Sequence, residues 1–231
     1  IDPAMLCSFC DEPLPQNPSA ELVSLRVELE RKSRPDPIPS NRGHRKAHIM
    51  DFASYCRLHT FERDILPMAL AHRWPSNPDF SSLFHRITRL RHALIVVCDE
   101  PDNSSFFRTA KDFYTPRSIA SSTEPHQSLS SAQLQSSLFQ FGSVERFHAL
   151  GAGYYGEIGY QIFDVALRFM FPDSNVELEP FFPLTYDTVL REVLIPEAAQ
   201  RIVQEDLDLT PREAKDTLKA SHVYGVMKHP S

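Results

Sequence analysis

Two pairs of metal-binding side chains share one spacing: Cys7-x2-Cys10 and Cys56-x2-His59. Zinc takes four soft or borderline ligands in a tetrahedron, and two such pairs supply them. Cys7 and Cys10 flank a short loop. Cys56 and His59 fall at i, i+3 in a segment with helical patterning, so both project from one face. Four protein ligands leave no open coordination position, so the metal would be structural. Its task would be to clamp the Pro-rich N-terminal arm to the second helix. The 45 residues between the pairs exceed the span of a small zinc finger. Three alternatives stay open on spacing alone: free buried thiols, a disulfide, or a His59 that simply packs. Cys98, the fourth cysteine, lies in an apolar run and reads as a core thiol.

A second candidate is Gly151-Ala152-Gly153-Tyr154-Tyr155-Gly156, which fits G-x-G-x-x-G and opens a strongly patterned helix. In nucleotide-binding folds such glycines let phosphate approach a helix N-terminus. Here the preceding 144–150 stretch is a poor strand, and Glu157 in the first turn would repel phosphate. Tight packing around two tyrosines is the plain alternative. A third reading is a partner-binding surface made by Phe147, Tyr154, Tyr155 and Glu157, since tyrosine is favoured at binding hot spots and aromatics beside an acid suit a basic peptide. His148 with Glu157 or Asp164 could be drawn as an acid–base pair, but nothing in the sequence sets their geometry. G-x-S-x-G, H-E-x-x-H, P-loop and EF-hand patterns are missing from the sequence. A noncatalytic chain is therefore expected, with an enzyme pocket near Tyr155 and Glu157 as a distant alternative.

Charge speaks to partners. The 231 residues carry 24 bases and 30 acids, net −6. Residues 172–231 hold eleven acids and six bases, which suits a basic protein partner. The dense basic stretch is Arg42-Gly43-His44-Arg45-Lys46, with Arg31, Lys32 and Arg34 upstream. Arg42, Arg45 and Lys46 are the candidate nucleic-acid contacts, set against a plain solvated loop. A hydrophobic content of 42% with 23% charged residues excludes a disordered chain, a collagen and a coiled coil. No apolar run approaches the ~20 residues of a membrane-spanning helix, so no membrane partner is expected.

The elements that must hold these residues are mostly helical. Ser19 caps a first helix of about 13 residues with Leu22, Leu25 and Leu29 on one stripe. The Arg34-Pro35-Asp36-Pro37 run ends it. Helical patterning resumes over 47–59 and 61–72. Trp74 reads as a core anchor near a turn. Asp79 caps a helix to about Leu90, and Asn103 another to about Tyr114. The 93–98 run, Ala-Leu-Ile-Val-Val-Cys, fits either a buried strand or a helix. Ile158, Ile162, Val165 and Phe169 mark a further helix. Helices follow over 186–194 and from Pro196 to about Leu207. The last opens at Thr210-Pro211-Arg212-Glu213, a capping box, and runs to about Ser221. The expected fold is one mostly α domain with at most a small β element and an N-terminal zinc clamp. Residues 1–5 read as a cloning scar, 6–114 as the clamped half, 115–137 as a flexible Ser-rich insertion, and 138–231 as the C-terminal helical half.

Together these segments resemble a fungal family, the C-terminal domain of the restriction-of-telomere-capping proteins (the fourth of that name). The resemblance rests on Cys7-Ser8-Phe9-Cys10-Asp11-Glu12-Pro13-Leu14-Pro15, on Cys56-Arg57-Leu58-His59-Thr60-Phe61-Glu62, and on Arg73-Trp74-Pro75. It continues in Gly153-Tyr154-Tyr155-Gly156-Glu157, Val193-Leu194-Ile195-Pro196-Glu197, Glu205-Asp206-Leu207 and Tyr224-Gly225. Ala152 stands where that family's pattern has proline. The resemblance implies a link to telomere capping and chromatin, a nuclear setting with some cytoplasmic presence, and no accepted enzymatic activity. A nuclear setting disfavours disulfides and so favours zinc. The expectation is a protein-interaction domain with structural zinc, bound to a nuclear protein or basic peptide; nucleic acid is the alternative partner.

Overall fold

The computed structural model describes residues 5–115 and 151–231. The Ser-rich stretch 116–137, the 144–150 segment, Phe147 and His148 lie outside the described residues, as does most of the expected scar. The chain divides into two compact units, Ile1–Trp74 and Pro75–Ser231. That division falls at Trp74/Pro75, inside the 6–114 stretch read above as the clamped half.

The first unit is built on two helices, α1 (Ala20–Lys32) and α2 (Ile49–Thr60). Ser19 caps α1, its hydroxyl accepting from the Leu22 N–H at 3.1 Å. The cap is itself anchored, since the Ser19 N–H and hydroxyl both donate to Glu62, at 3.0 and 2.5 Å. Leu22 and Leu29 are buried and Leu25 packs beside them, so the predicted stripe is the face that faces inward. After α1 the prolines permit only a two-residue ladder, β1 (Arg34–Pro35) against β2 (Arg45–Lys46), antiparallel with Arg34 opposite Lys46. The core holds Cys7, Phe9, Leu22, Leu29 and Tyr55, with Phe9 stacked on Phe52 at 5.7 Å and edge-on to Tyr55 at 5.9 Å. Beyond α2 the helix widens into a π turn, Phe61–Ile65, before α3 (Leu66–Ala71). Trp74 is buried and stacks on His72 at 5.7 Å.

The second unit opens with α4 (Phe80–Arg89), capped by Asp79 as expected, and α5 (Arg91–Asp99). The ambiguous 93–98 run is thus helix, with Leu94 and Val97 on its buried side. Its helix signal was the i, i+3 pair within an otherwise continuous apolar run. The next cap corrects the expectation by one residue. Pro101–Asn103 forms a 3-10 turn, and Ser104, not Asn103, caps α6 (Ser105–Tyr114). The Ser104 hydroxyl accepts from the Phe107 N–H and donates to buried Glu197 at 2.7 Å.

The core of this unit is α7 (Gly156–Met170), packed against α4. A short α8 (Tyr186–Val189), a π turn (Leu190–Leu194) and α9 (Ile195–Leu207) then follow without a break. The two helices expected there are one run, joined by the π turn, in which the Ile195 N–H reaches back to the Leu190 carbonyl, and Pro196 follows directly at the start of α9. α10 (Pro211–Lys228) begins with the predicted Thr210/Glu213 capping box and continues a further two turns past Ser221. It packs on the Gly153–Tyr155 turn, α7 and α9.

Two close approaches fix that packing. Gly156 has φ +63°, and a Cβ on it would lie 2.2 Å from the Gly225 carbonyl oxygen. The His229 carbonyl accepts from the Glu157 and Ile158 N–H groups at 3.0 and 3.3 Å. Gly156→Ala is expected to cost about 3 kcal/mol, because strain and clash act together. Urea denaturation checks it; a loss below about 1 kcal/mol would mean that α10 shifts freely.

Candidate metal centre

The arm that carries Cys7 and Cys10 is folded by its own backbone. The Cys7 N–H donates to the Glu12 carbonyl at 2.8 Å, and the Asp11 N–H to the Cys7 carbonyl at 3.2 Å. Asp11 takes a left-handed φ of 61°, which reverses the chain. Asn41, almost fully buried, clamps the turn from outside. Its amide donates to the Cys7 carbonyl at 2.9 Å and to the Asp11 carboxylate at 2.8 Å, while its oxygen accepts from the Gly43 N–H. The opposite half of the site comes from consecutive turns of α2, which bring Cys56 and His59 to one side.

All four predicted ligands meet. One donor atom from each of Cys7, Cys10, Cys56 and His59 lies within 4.8 Å of every other. The Cys7 and Cys56 sulfurs are 3.9 Å apart, and Cys10 Sγ is 3.2 Å from His59 Nε2. A tetrahedral zinc with Zn–S near 2.3 Å separates its sulfurs by about 3.8 Å, so the spacing fits. A disulfide needs sulfurs near 2.05 Å, and all the cysteines are free. The chemistry of the set fits as well. Cys7 and His59 are buried, the other two half-buried. The Cys7 thiol is drawn down, chiefly by the hydrogen bond from Cys56, and Cys56 is pushed up through the same bond. Cys10 is raised by burial. The Phe9 N–H donates to Cys7 Sγ at 3.4 Å, the kind of bond that supports a thiolate. His59 Nδ1 is buried with no hydrogen-bond partner, and the Tyr55 ring lies edge-on to the imidazole at 5.5 Å.

Asn41 was not singled out by spacing; its only local signal is the Asn41-x-Gly43 turn. Since it holds the Cys7–Cys10 loop closed, Asn41→Ala is expected to weaken metal binding about tenfold. Competition against a chromogenic chelator reads this directly, and an unchanged affinity would assign the loop's shape to its backbone alone.

The other predicted site residues fare differently. Tyr154 and Tyr155 are fully buried and make no aromatic surface. Their hydroxyls both donate to Asp206 Oδ2, at 2.6 and 2.5 Å, and Arg86 pairs with Oδ1 at 2.6 Å. Burial raises both phenols. The reason is that α9 supplies an internal acid, so the rings can turn inward with their hydroxyls satisfied. Tight packing is therefore the reading that the glycines serve. A phosphate site at this helix start is also excluded, because the His229 carbonyl takes the N–H groups. Glu157 is exposed and accepts from the Ser231 N–H and hydroxyl at 2.9 and 2.7 Å. In the basic loop, Arg42 and Lys46 are exposed. Arg45 is spent inside the fold, donating to Ser33 Oγ and to the Glu30 and Ser33 carbonyls. Among the described residues no helix is long and apolar enough to cross a membrane.

The RTC4-like domain matches residues 112–230 of this chain. The chain belongs to the RTC4-like family. This family, named for restriction of telomere capping, connects it to that theme. The RTC4-like match lies wholly within the second unit and takes in α7, α9, α10 and the buried Tyr154–Tyr155–Asp206 cluster. The Cys–His cluster lies outside it and stands on its own geometry. No curated protein and no solved structure matches the chain.

Proposed function

We propose that this chain is a noncatalytic protein-interaction domain of a nuclear, telomere-associated protein, its first unit held together by one structural zinc. The observation that carries the zinc is the closed set of Cys7, Cys10, Cys56 and His59 within 4.8 Å. Four protein donors fill a tetrahedron and leave no place for a substrate or water. The zinc would join the N-terminal arm to α2. The interaction role rests on the family and on the acidic balance of the last sixty residues, which suits a basic partner.

Elemental analysis of metal-washed protein is expected to find one equivalent of zinc per chain; well under half an equivalent would reject the site. Capture from nuclear extract after nuclease treatment is expected to retain a protein partner. If capture fails and a mobility shift appears at low salt, fading steeply as salt rises, the weight passes to nucleic acid. With Arg45 committed to the fold, Arg42 and Lys46 are then the contacts to replace.

A further inference from the structure

One polar atom of the metal centre has no role in holding the ion. His59 Nε2 faces Cys10 Sγ at 3.2 Å, so Nε2 is the nitrogen that would coordinate. A neutral imidazole that gives one nitrogen to a metal keeps its proton on the other, here Nδ1. Metal-bound histidines nearly always donate that proton to a carboxylate, a carbonyl or a water. His59 Nδ1 is buried and has no such partner among the described residues. The side chain that meets the imidazole is Tyr55, one turn earlier on α2, with ring centroids 5.5 Å apart and planes inclined at 61°. Tyr55 is itself only 2% exposed.

The same ring reaches the other half of the site. It meets Phe9 at 5.9 Å with an interplanar angle of 79°. Phe9 lies between the two arm ligands, and its N–H donates to Cys7 Sγ at 3.4 Å. Tyr55 thus touches a ligand on α2 and the loop that carries the ligands on the arm.

We propose that Tyr55 is a positioning residue of the metal centre: the His59 Nδ1–H is directed at the Tyr55 π system in place of an oxygen acceptor, and through Phe9 the same ring sets the Cys7–Cys10 loop against α2. The proposal rests on the zinc reading and adds the group that orients its ligands. Charge gives a reason for an aromatic partner. Three thiolates and a zinc dication already leave one net negative charge in the site. A carboxylate on Nδ1 would bury a second, which an apolar interior disfavours; a neutral ring avoids it. An N–H directed at an aromatic face is a weak bond, so the ring acts mainly by shape, blocking rotation of the imidazole.

The test uses the zinc-loaded full chain with isotope-labelled histidine, read by proton–nitrogen NMR. The His59 Nδ1–H is expected as a slowly exchanging resonance, upfield of a histidine N–H bonded to oxygen, because ring current shields a proton above a ring face. Tyr55→Leu should abolish that shift and weaken zinc binding about tenfold. Tyr55→Phe keeps the ring and should retain both. Leu29→Ala opens the same core from α1; it should lower the melting temperature and leave the resonance in place. A downfield Nδ1–H in the wild-type chain overturns the proposal without recourse to any variant. So does unchanged zinc affinity in Tyr55→Leu, or a Leu29→Ala chain that moves the resonance as far as Tyr55→Leu does. A wild-type chain that takes up no zinc removes the site and this proposal together. One equivalent of zinc with any of those three results removes the proposal alone.

Discussion

Replacing Asp206 with alanine is expected to cost about 3–5 kcal/mol, the scale for breaking a buried, hydrogen-bonded charge cluster. One carboxylate at the end of α9 serves the Tyr154 and Tyr155 hydroxyls and Arg86 of α4. Removing it strands two phenols in a fully buried position and leaves a largely buried guanidinium without its closest partner. The unfolding midpoint should fall by roughly 10 °C, given about 2–4 °C per kcal/mol for a protein of this size. Asp206→Asn keeps the shape and one acceptor oxygen, so it should lose roughly half as much. Tyr154→Phe deletes a single hydroxyl and should cost about 1 kcal/mol. Urea denaturation followed by circular dichroism orders the three variants. If the alanine variant loses under 1 kcal/mol, the tyrosine turn is held by glycine packing alone.

Chelation is expected to undo the arm of the first unit. Its buried core is small: Cys7, Phe9, Leu22, Leu29 and Tyr55. Below about 80 residues a core of this kind seldom supplies more than ~3–5 kcal/mol. A structural zinc can contribute on the order of 10 kcal/mol through coupled binding and folding. Removing it leaves three thiols and an imidazole packed together with no ion to draw them in. The amides of Cys7, Asp11 and Leu14, protected now by backbone bonds at 2.8–3.2 Å, should exchange rapidly. Acid acts in the same direction, because each thiolate must take a proton as the metal leaves, so affinity falls as pH falls. Cys10→Ser and His59→Ala should each lower zinc affinity at least a hundredfold. An apo form with unchanged exchange and unchanged melting would show that the arm folds without metal.

The parts of this protein that are decided locally can be read from the sequence. The Ser19, Asp79 and Thr210 caps sit where expected, since a cap involves a side chain and a backbone N–H two or three residues away. The Leu22/Leu25/Leu29 stripe and the Gly156–Met170 helix are equally local. So is the i, i+3 pairing of Cys56 with His59; the repeat of that spacing at Cys7 and Cys10 suggests a shared site, and the tertiary structure is what brings the two pairs within 4.8 Å.

Other features depend on elements remote in the chain. The Ile158/Ile162/Val165/Phe169 stripe predicts the helix correctly, yet Val165 and Phe169 are 59% and 73% exposed while Gly159, Phe163, Ala166 and Leu167 face the core. Periodicity reports that a helix exists and carries apolar residues. Which face is covered depends on where α4, α9 and α10 arrive. The tyrosine pair shows the same limit. Beside glycines and an acid it reads equally well as a surface or a joint, and Asp206, fifty residues further on, settles it by offering a buried acceptor. Asn41 escapes notice for the same reason, because the two acceptors of its amide N–H groups, the Cys7 carbonyl and Asp11, are thirty and more residues away. Spacing therefore marks the four candidate metal donors and the helices. Burial, which depends on contacts between distant segments, determines which side chains remain available to a partner.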